Sequence, residues 1–166
     1  MSIQPPTDEI QGKDGQRYML RCATPDDLQA LLVIANSAHH SPWSEGIFVR
    51  ELGLDISEIW VVESNQPEEE ELIGSLVFWR VHDELHIQDV AVHGDAQGRG
   101  LGFGLVEMLA TLGDDTEMSL MTLEVRKGNV PAINLYEKCG FERVGERKGY
   151  YSDNGEDAII MTRILA

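Results

Sequence analysis

A glycine-rich turn, QGRGLG at residues 97–102, carries the clearest chemical signal in this sequence. A strand-like segment precedes it, and the helical pattern FGLVEMLATLG follows it. In such a turn, successive backbone N–H groups and a helix N-terminus converge, and together they bind anions. Glycine lets the backbone approach a ligand closely, and Arg99 adds a positive charge. The turn therefore predicts a site for phosphate groups.

Two familiar phosphate-binding motifs do not fit this turn. A Walker A loop requires Lys-Ser or Lys-Thr after its glycines, and neither dipeptide follows here. A dinucleotide fingerprint requires the spacing GxGxxG, whereas these glycines recur every second residue from Gly98 to Gly104. What remains is a strand, QxxGxG and a helix, and taken alone this pattern fits a tight turn without a ligand equally well.

A second segment, LEVRKGNVPAINLYEKCGF at residues 123–141, favours the ligand-binding interpretation. Together the two segments resemble the GNAT acetyltransferases, which bind acetyl-coenzyme A (acetyl-CoA) with QxxGxG/A at a helix start. The family's later pattern of Asn, Ala, Tyr, Gly and Phe is matched here by Asn129, Ala132, Tyr136, Gly140 and Phe141. The resemblance extends from about residue 18 to the C-terminus.

Three further segments narrow the resemblance within that family. PWSEGIF, LEVRKGN and YYSDNGEDAIIM are similar to segments of the RimI-type N-terminal acetyltransferases, which acetylate the N-terminal alanine of a ribosomal protein. The residues that carry this similarity are Pro42, Trp43, Ser44, Glu124, Arg126, Tyr150, Tyr151, Glu156, Asp157 and Ala158.

The resemblance implies a fold and a cofactor site. The expected fold is α/β (α+β): a single-domain GNAT fold with a mixed, mostly antiparallel central sheet, flanking helices and splayed strands at the acetyl-CoA site. The residues expected to bind the cofactor lie on the strand before the turn, on the turn itself and at the next helix start. They are Val90, Ala91, Val92, Gly98, Arg99, Gly100, Leu101, Gly102, Phe103 and Asn129.

The resemblance also implies which residues perform acetyl transfer. An α-amino group has a pKa near ~8, so a modest base suffices to deprotonate it. Glu124 is expected to be this base, acting directly or through a water molecule. Tyr136 is expected to be the acid, because its phenol, with a pKa of about 10, can donate to a thiolate with a pKa near ~8.5. From the residues alone, the favoured interpretation of Glu124 is a strand residue that faces solvent, and the alternative for Tyr136 is a core aromatic residue.

Acceptor recognition is assigned to aromatic side chains on two separate loops. Trp43, Tyr150 and Tyr151 are expected to clamp a peptide N-terminus, and Glu156 and Asp157 to attract its basic residues. Ordinary half-buried aromatic residues would account for the same three positions. The five histidines form no metal-ligand spacing, so we expect no metal.

The elements that must position these residues follow from hydrophobic periodicity. The predicted order is β α α β β β α β α β β, with antiparallel strands first and βαβ units later. Thr24-Pro25 marks the start of the first helix, Ser44 the second, and Asn129 the last. Residues 1–16 are polar and contain Pro5-Pro6, so a flexible tail is predicted there and one acetyltransferase domain at residues 17–166.

Composition limits the classes of partner. The chain has 166 residues, 42% of them hydrophobic, and a net charge of −16 from 13 basic and 29 acidic residues. This charge argues against direct nucleic-acid binding and favours a cationic partner such as a basic protein N-terminus. We expect no membrane segment and no signal peptide, and two widely spaced cysteines indicate reduced thiols in the cytoplasm.

Three functions remain open at this stage. The first is an acetyl-CoA-dependent N-α-acetyltransferase that acts on the N-terminal alanine of a ribosomal protein. The second is an acetyltransferase for a small amine such as a polyamine, which the negative charge suits equally well. The third is a non-catalytic acyl-CoA-binding module, which the presence of both Glu124 and Tyr136 disfavours.

Overall fold

The structure, a computed structural model, describes residues 2–165. It contains one sheet of eight strands and four α-helices. In chain order these are β1 (Glu9–Gln11), β2 (Arg17–Cys22), α1 (Leu28–Ala38), α2 (Glu45–Gly53), β3 (Ser57–Glu63), β4 (Leu72–Val81), β5 (Glu84–Val92), α3 (Leu101–Asp115), β6 (Leu120–Arg126), α4 (Val130–Lys138), β7 (Glu142–Arg147) and β8 (Ala158–Ile164).

The strands lie in the order β1-β2-β3-β4-β5-β6-β8-β7. Only β5 and β6 run parallel, joined by the crossover helix α3, and every other neighbouring pair is antiparallel. The predicted mixed, mostly antiparallel sheet is therefore confirmed.

Apolar side chains alternate between the two faces of the sheet and build one core on each. On β3, Trp60 belongs to the same core as Leu105 of α3, whereas the next residue, Val61, belongs to the same core as Phe48 of α2. The helices α3 and α4 thus cover one face, and α1 and α2 cover the other. No helix within residues 2–165 is long and apolar enough to cross a membrane.

The segment before β2 differs from the flexible tail predicted for residues 1–16. Glu9–Gln11 pairs with β2 as an edge strand, and Ile10 is buried against the α3 core. Further upstream, the carbonyl of Ile3 accepts a hydrogen bond from Trp60 Nε1 at 2.9 Å. The polar composition of this segment gives no indication of the packing, because the isoleucines that contact the core, Ile3 and Ile10, are isolated in the sequence.

Candidate active site

A cleft opens in the middle of the sheet where β5 and β6 separate. The two strands pair only along Glu84–Ile87 and Leu120–Leu123. The next residue of β5, Gln88, is an extra residue that has no register partner on β4. Such a bulge bends its strand and increases the local twist. It turns the remainder of β5 away from β6, so the splayed strands expected from the sequence are confirmed.

A cavity of about 570 Å³ fills this cleft. Of the residues predicted to bind a cofactor, seven line it: Val90, Val92, Gly98, Gly100, Leu101, Gly102 and Phe103. Helix α4 closes the cavity with residues that include Ala132 and Leu135. Three predicted residues, Ala91, Arg99 and Asn129, lie outside the lining.

The glycine turn leaves a series of backbone N–H groups without a protein acceptor. Gly98 and Gly100 have φ values of 85° and 81°, in the left-handed region that favours glycine. The turn then enters the first turn of α3, where N–H groups lack intrahelical acceptors. Within residues 2–165, the amides from Gly98 to Phe103 donate to no backbone carbonyl outside the helix. Their position beside the cavity suits an anionic group.

Two more amides of β5 point toward the cleft. The N–H of His93, just after β5, donates to the carbonyl of Ile73 on β4 at 2.9 Å. Because N–H groups alternate in direction along a strand, those of Val90 and Val92 face away from β4 and into the cleft. The side chain of Gln97 donates to the Val92 carbonyl at 3.1 Å and fastens the turn to this strand.

Asn129 and Ala91 have structural roles that explain their absence from the cavity wall. The side-chain oxygen of Asn129 accepts from the Ala132 N–H at 3.3 Å and caps α4. Ala91 is buried in the core beneath α1 and α2, on the opposite face of the sheet.

Arg99 does not direct its charge toward the cavity as the sequence interpretation expected. Its guanidinium binds both carboxylate oxygens of Glu69, with Nη1 at 3.3 Å from Oε2. The two side chains are only 20% and 11% exposed, so the charge of Arg99 is neutralised in a partly buried pair. Glu69 lies in the acidic loop between β3 and β4, and no local sequence pattern indicates this long-range pairing.

Glu69→Gln should lower the free energy of unfolding by about 1–3 kcal/mol at pH 7, because it leaves a partly buried guanidinium without its charged acceptor. Hydrogen bonding to Arg99 lowers the pKa of Glu69 in the folded chain. The pair's contribution is therefore complete above the usual carboxyl pKa and is lost as pH falls through the lowered value. Urea unfolding at pH 7 and under acid conditions measures this difference.

Glu70→Gln is the matched control, since Glu70 is an exposed neighbour in the same loop. It should unfold like the native chain at both pH values. Equal stability of the two variants at pH 7 would show that the Glu69–Arg99 pair does not stabilise the fold.

Glu124 is the first residue of β6 beyond the seam with β5, because the pairing ends at Leu123. Its side chain is 33% exposed, and Oε1 lies 3.4 Å from Nε of Arg147 on β7. The carboxylate is thus placed beside the fork between the strands and is accessible to solvent. Arg147 was not foreseen as its neighbour, because contact between them depends on the register of β7 and β8.

Tyr136 lies on α4 with its ring buried edge-on against Phe141, at a centroid distance of 5.7 Å. Burial raises the pKa of its phenol above the usual value, and the charge of Asp89 adds to this effect. A phenol with a raised pKa stays protonated at neutral pH, which is what a proton donor requires.

Tyr151 interacts electrostatically with both Glu124 and Tyr136. Burial raises the pKa of Tyr151 to about 12, and the Glu124 carboxylate contributes to the rise. Tyr151 in turn contributes to the raised pKa of Tyr136. Glu124 and Tyr136 therefore each interact electrostatically with Tyr151, although neither Glu124 nor Tyr136 is part of the cavity lining.

Asp89 and His39 form a pair at this fork that the sequence interpretation missed. Asp89 follows the bulge residue, and its Oδ1 lies 2.9 Å from Nε2 of His39, just beyond α1. Asp89 raises the pKa of His39, while burial opposes the rise. The two residues are fifty positions apart in the sequence, so the spacing of the histidines gives no indication of this pair.

The aromatic residues predicted to bind an acceptor lie on two loops that meet. Ser41 Oγ donates to Asp153 at 3.2 Å and joins the loop before α2 to the loop before β8. Tyr150 is exposed, whereas Tyr151 stacks on Arg126 with the guanidinium carbon 4.0 Å from the ring centre. Trp43 packs on Phe48 at 5.3 Å and belongs largely to the core.

The two acids expected to hold a basic peptide bind the chain itself. Glu156 accepts from the Gly128 N–H at 2.8 Å and lies 3.3 Å from Arg126. Asp157 accepts from the Gly149 N–H at 2.8 Å and pairs with Lys148. These contacts shape the loop before β8 and leave both carboxylates engaged.

The family model described as the acetyltransferase (GNAT) family matches residues 28–141, which include β3 to β6 and all four helices. The chain belongs to the GNAT acetyltransferase family. The glycine turn, the fork and Tyr136 all fall within the matched residues, whereas β1 and β2 precede them.

Individual relatives of this acetyltransferase have more specific names. It is 34% identical over 137 residues to the ribosomal protein bS18-alanine N-acetyltransferase of Escherichia coli (strain K12), covering 81% of this chain and 89% of that protein. The enzyme of the same name from Haemophilus influenzae is 33% identical over 142 residues, covering 84% and 93%.

Solved structures agree with this assignment. The acetyltransferase superposes on the crystal structure of the ribosomal-protein-S18-alanine N-acetyltransferase from Escherichia coli with a TM-score of 0.80, 32% identity and coverage of 90% and 94%. Arabidopsis thaliana NAA60, solved in complex with acetyl-CoA, shares the fold at 18% identity, with a TM-score of 0.76 and coverage of 89% and 98%.

Proposed function

We propose that this chain transfers the acetyl group of acetyl-CoA to the N-terminal amine of a ribosomal protein, with alanine as the acceptor residue. The observation that carries the proposal is 34% identity, over four fifths of the chain, to an enzyme named for acetylation of bS18 alanine. The splayed cleft supports it, because two reactants must meet between β5 and β6 for direct transfer. A ribosomal acceptor implies that the reaction takes place in the cytoplasm.

The residues around the cavity fit acetyl-CoA chemically. The glycine turn and the first turn of α3 offer unpaired amides to the pyrophosphate. Val90 and Val92 provide apolar side chains along the cleft, and α4 closes it from the other side. The bound cofactor supplies an acetyl thioester, which is activated toward attack by a neutral amine.

The chain's own groups then divide the proton transfers and the charge stabilisation. Glu124 accepts the proton that the acceptor amine loses as its nitrogen bonds to the acetyl carbon. The cleft-facing N–H groups of Val90 and Val92 stabilise the negative charge that develops on the carbonyl oxygen. Tyr136 donates its proton to the departing sulfur as the carbon–sulfur bond breaks.

The acceptor peptide is proposed to enter between the loops joined by Ser41 and Asp153. Tyr150 is the most exposed aromatic side chain there and is available to contact the first residues of a peptide. Tyr151, held by Arg126, positions that face, and Trp43 supports the loop from the core. The net charge of −16 favours a basic protein over an acidic one.

A panel of acceptors tests this function directly. The protein is incubated with acetyl-CoA and peptides that begin with Ala, Ser, Met or Gly, a peptide whose only free amine is an internal lysine, and spermidine. The Ala peptide should have a kcat/KM roughly tenfold or more above that of spermidine. Mass spectrometry of the product should place the acetyl group on the α-amine.

The same Ala peptide with its N-terminus already acetylated is the matched control and should not react. Preference for spermidine or the internal lysine over every free N-terminus would replace the proposed function with acetylation of another amine. Binding of acetyl-CoA without transfer to any acceptor would favour a non-catalytic binding module.

A further inference from the structure

The N-terminal segment packs directly against the glycine turn. The backbone N–H of Lys13, in the turn between β1 and β2, donates to the Arg99 carbonyl at 2.8 Å. A Cβ added at Gly100 would lie only 3.2 Å from that Lys13 nitrogen, so the two turns are in close contact. The matched family residues begin at 28, and this segment precedes them.

The distribution of ion pairs in this acidic chain also draws attention to Lys13. Of its 13 lysine and arginine side chains, nine lie within 4 Å of a carboxylate in residues 2–165. The four without such a partner in that part of the chain are Lys13, Arg50, Arg80 and Lys138. Two of these, Lys13 and Lys138, line the cavity. With 29 acidic residues available, cations left unneutralised at one cavity indicate an anionic ligand there.

We infer that Lys13 is a phosphate-binding residue of the acetyl-CoA site, supplied by the turn between β1 and β2. This inference rests on the proposed function, because the anion it requires is a phosphate group of the cofactor. Lys13 then provides the charge that Arg99, committed to Glu69, does not. Lys138 on α4 supplies a second cation to the same cavity from a different element.

The hydrogen bond to Arg99 and the ammonium group of Lys13 are separable. The bond uses the backbone N–H, which every residue except proline retains. Lys13→Gln therefore keeps the turn in place and removes only the charge, and Lys13→Arg keeps both. Arg50→Gln is the matched control, because Arg50 is an exposed, unpaired cation that does not line the cavity.

Isothermal titration calorimetry with coenzyme A at low salt measures Kd for each variant and does not depend on turnover. Lys13→Gln should raise Kd about tenfold, the scale expected for one charge-assisted contact with a phosphate. Lys13→Arg and Arg50→Gln should stay within about twofold of the native chain. In 0.5 M NaCl the deficit of Lys13→Gln should shrink, since salt screens an exposed charge pair.

Each other outcome has a definite meaning. A native-like Kd for Lys13→Gln at low salt would overturn the inference, and so would a loss that is unchanged in 0.5 M NaCl, because that would indicate a purely structural role. Both results leave the proposed function standing as long as the native chain binds coenzyme A. If the native chain shows no binding, the proposed function fails together with the inference.

Discussion

Tyr136→Phe should reduce kcat by about 10²–10³-fold, the scale of one general acid, while Kd for coenzyme A remains within about twofold. The variant removes one hydroxyl and retains the ring that packs on Phe141. Without a donor, the sulfur must leave as an unprotonated thiolate. The loss should therefore appear in turnover and not in cofactor binding.

The pH profile provides a second check on Tyr136. Burial keeps the pKa of its phenol above the usual value of about 10, so the donor remains protonated across the working range. The native kcat should show no alkaline decline from this group below about pH 9. Stopped assays with an Ala peptide, from pH 6 to pH 9, measure kcat and its dependence on pH.

Tyr18→Phe is the matched control for the missing hydroxyl. Tyr18 is also buried, and it does not line the cavity. Its variant should retain native turnover. If Tyr136→Phe retained more than half of the native kcat, proton donation would have to come from another group or from water.

Glu124→Gln should lower kcat/KM by about 10²-fold near pH 6.5, and the deficit should narrow toward pH 9. An α-amine with a pKa near ~8 is mostly protonated at the lower pH, so reaction there depends on a base. At high pH the amine is already neutral, and the missing carboxylate matters less. Initial rates across this range, with subsaturating peptide, test the prediction.

Arg147→Gln separates the base from the ion pair. Both variants abolish the Glu124–Arg147 ion pair, but only Glu124→Gln removes the carboxylate. Arg147→Gln should therefore lose far less activity. Matching pH profiles for the two variants would assign the effect to the ion pair, and a native profile for Glu124→Gln would remove this residue from the mechanism.

The elements that carry local signals could be predicted from the sequence. Ser44 precedes α2 and accepts from the Ile47 N–H at 3.4 Å, as its position indicated. Asn129 likewise precedes α4 and caps it, as its position indicated. Caps, hydrophobic periodicity and the glycine turn are short-range features, so one sequence suffices to locate them.

Features that depend on distant pairing could not be predicted in the same way. The partner of Arg99 lies thirty residues away in an acidic cluster whose members look alike in sequence. The contact of Glu124 with Arg147 and that of His39 with Asp89 depend on how strands and helices assemble. The strand β1 has three residues, too few for a periodic pattern to emerge.

The bulge at Gln88 affects how firmly the two halves of the sheet are joined. Because β5 and β6 pair over only four residues each, β1–β5 and β6–β8 form two half-sheets with a short common seam. The strand pairing lost at the fork is what exposes the cleft, so the binding site lies where the two half-sheets meet. A ligand lying in the fork bridges the two halves, and its binding energy adds to their cohesion. Occupancy of the cleft should therefore reduce local opening at this seam and slow the separation of the two half-sheets.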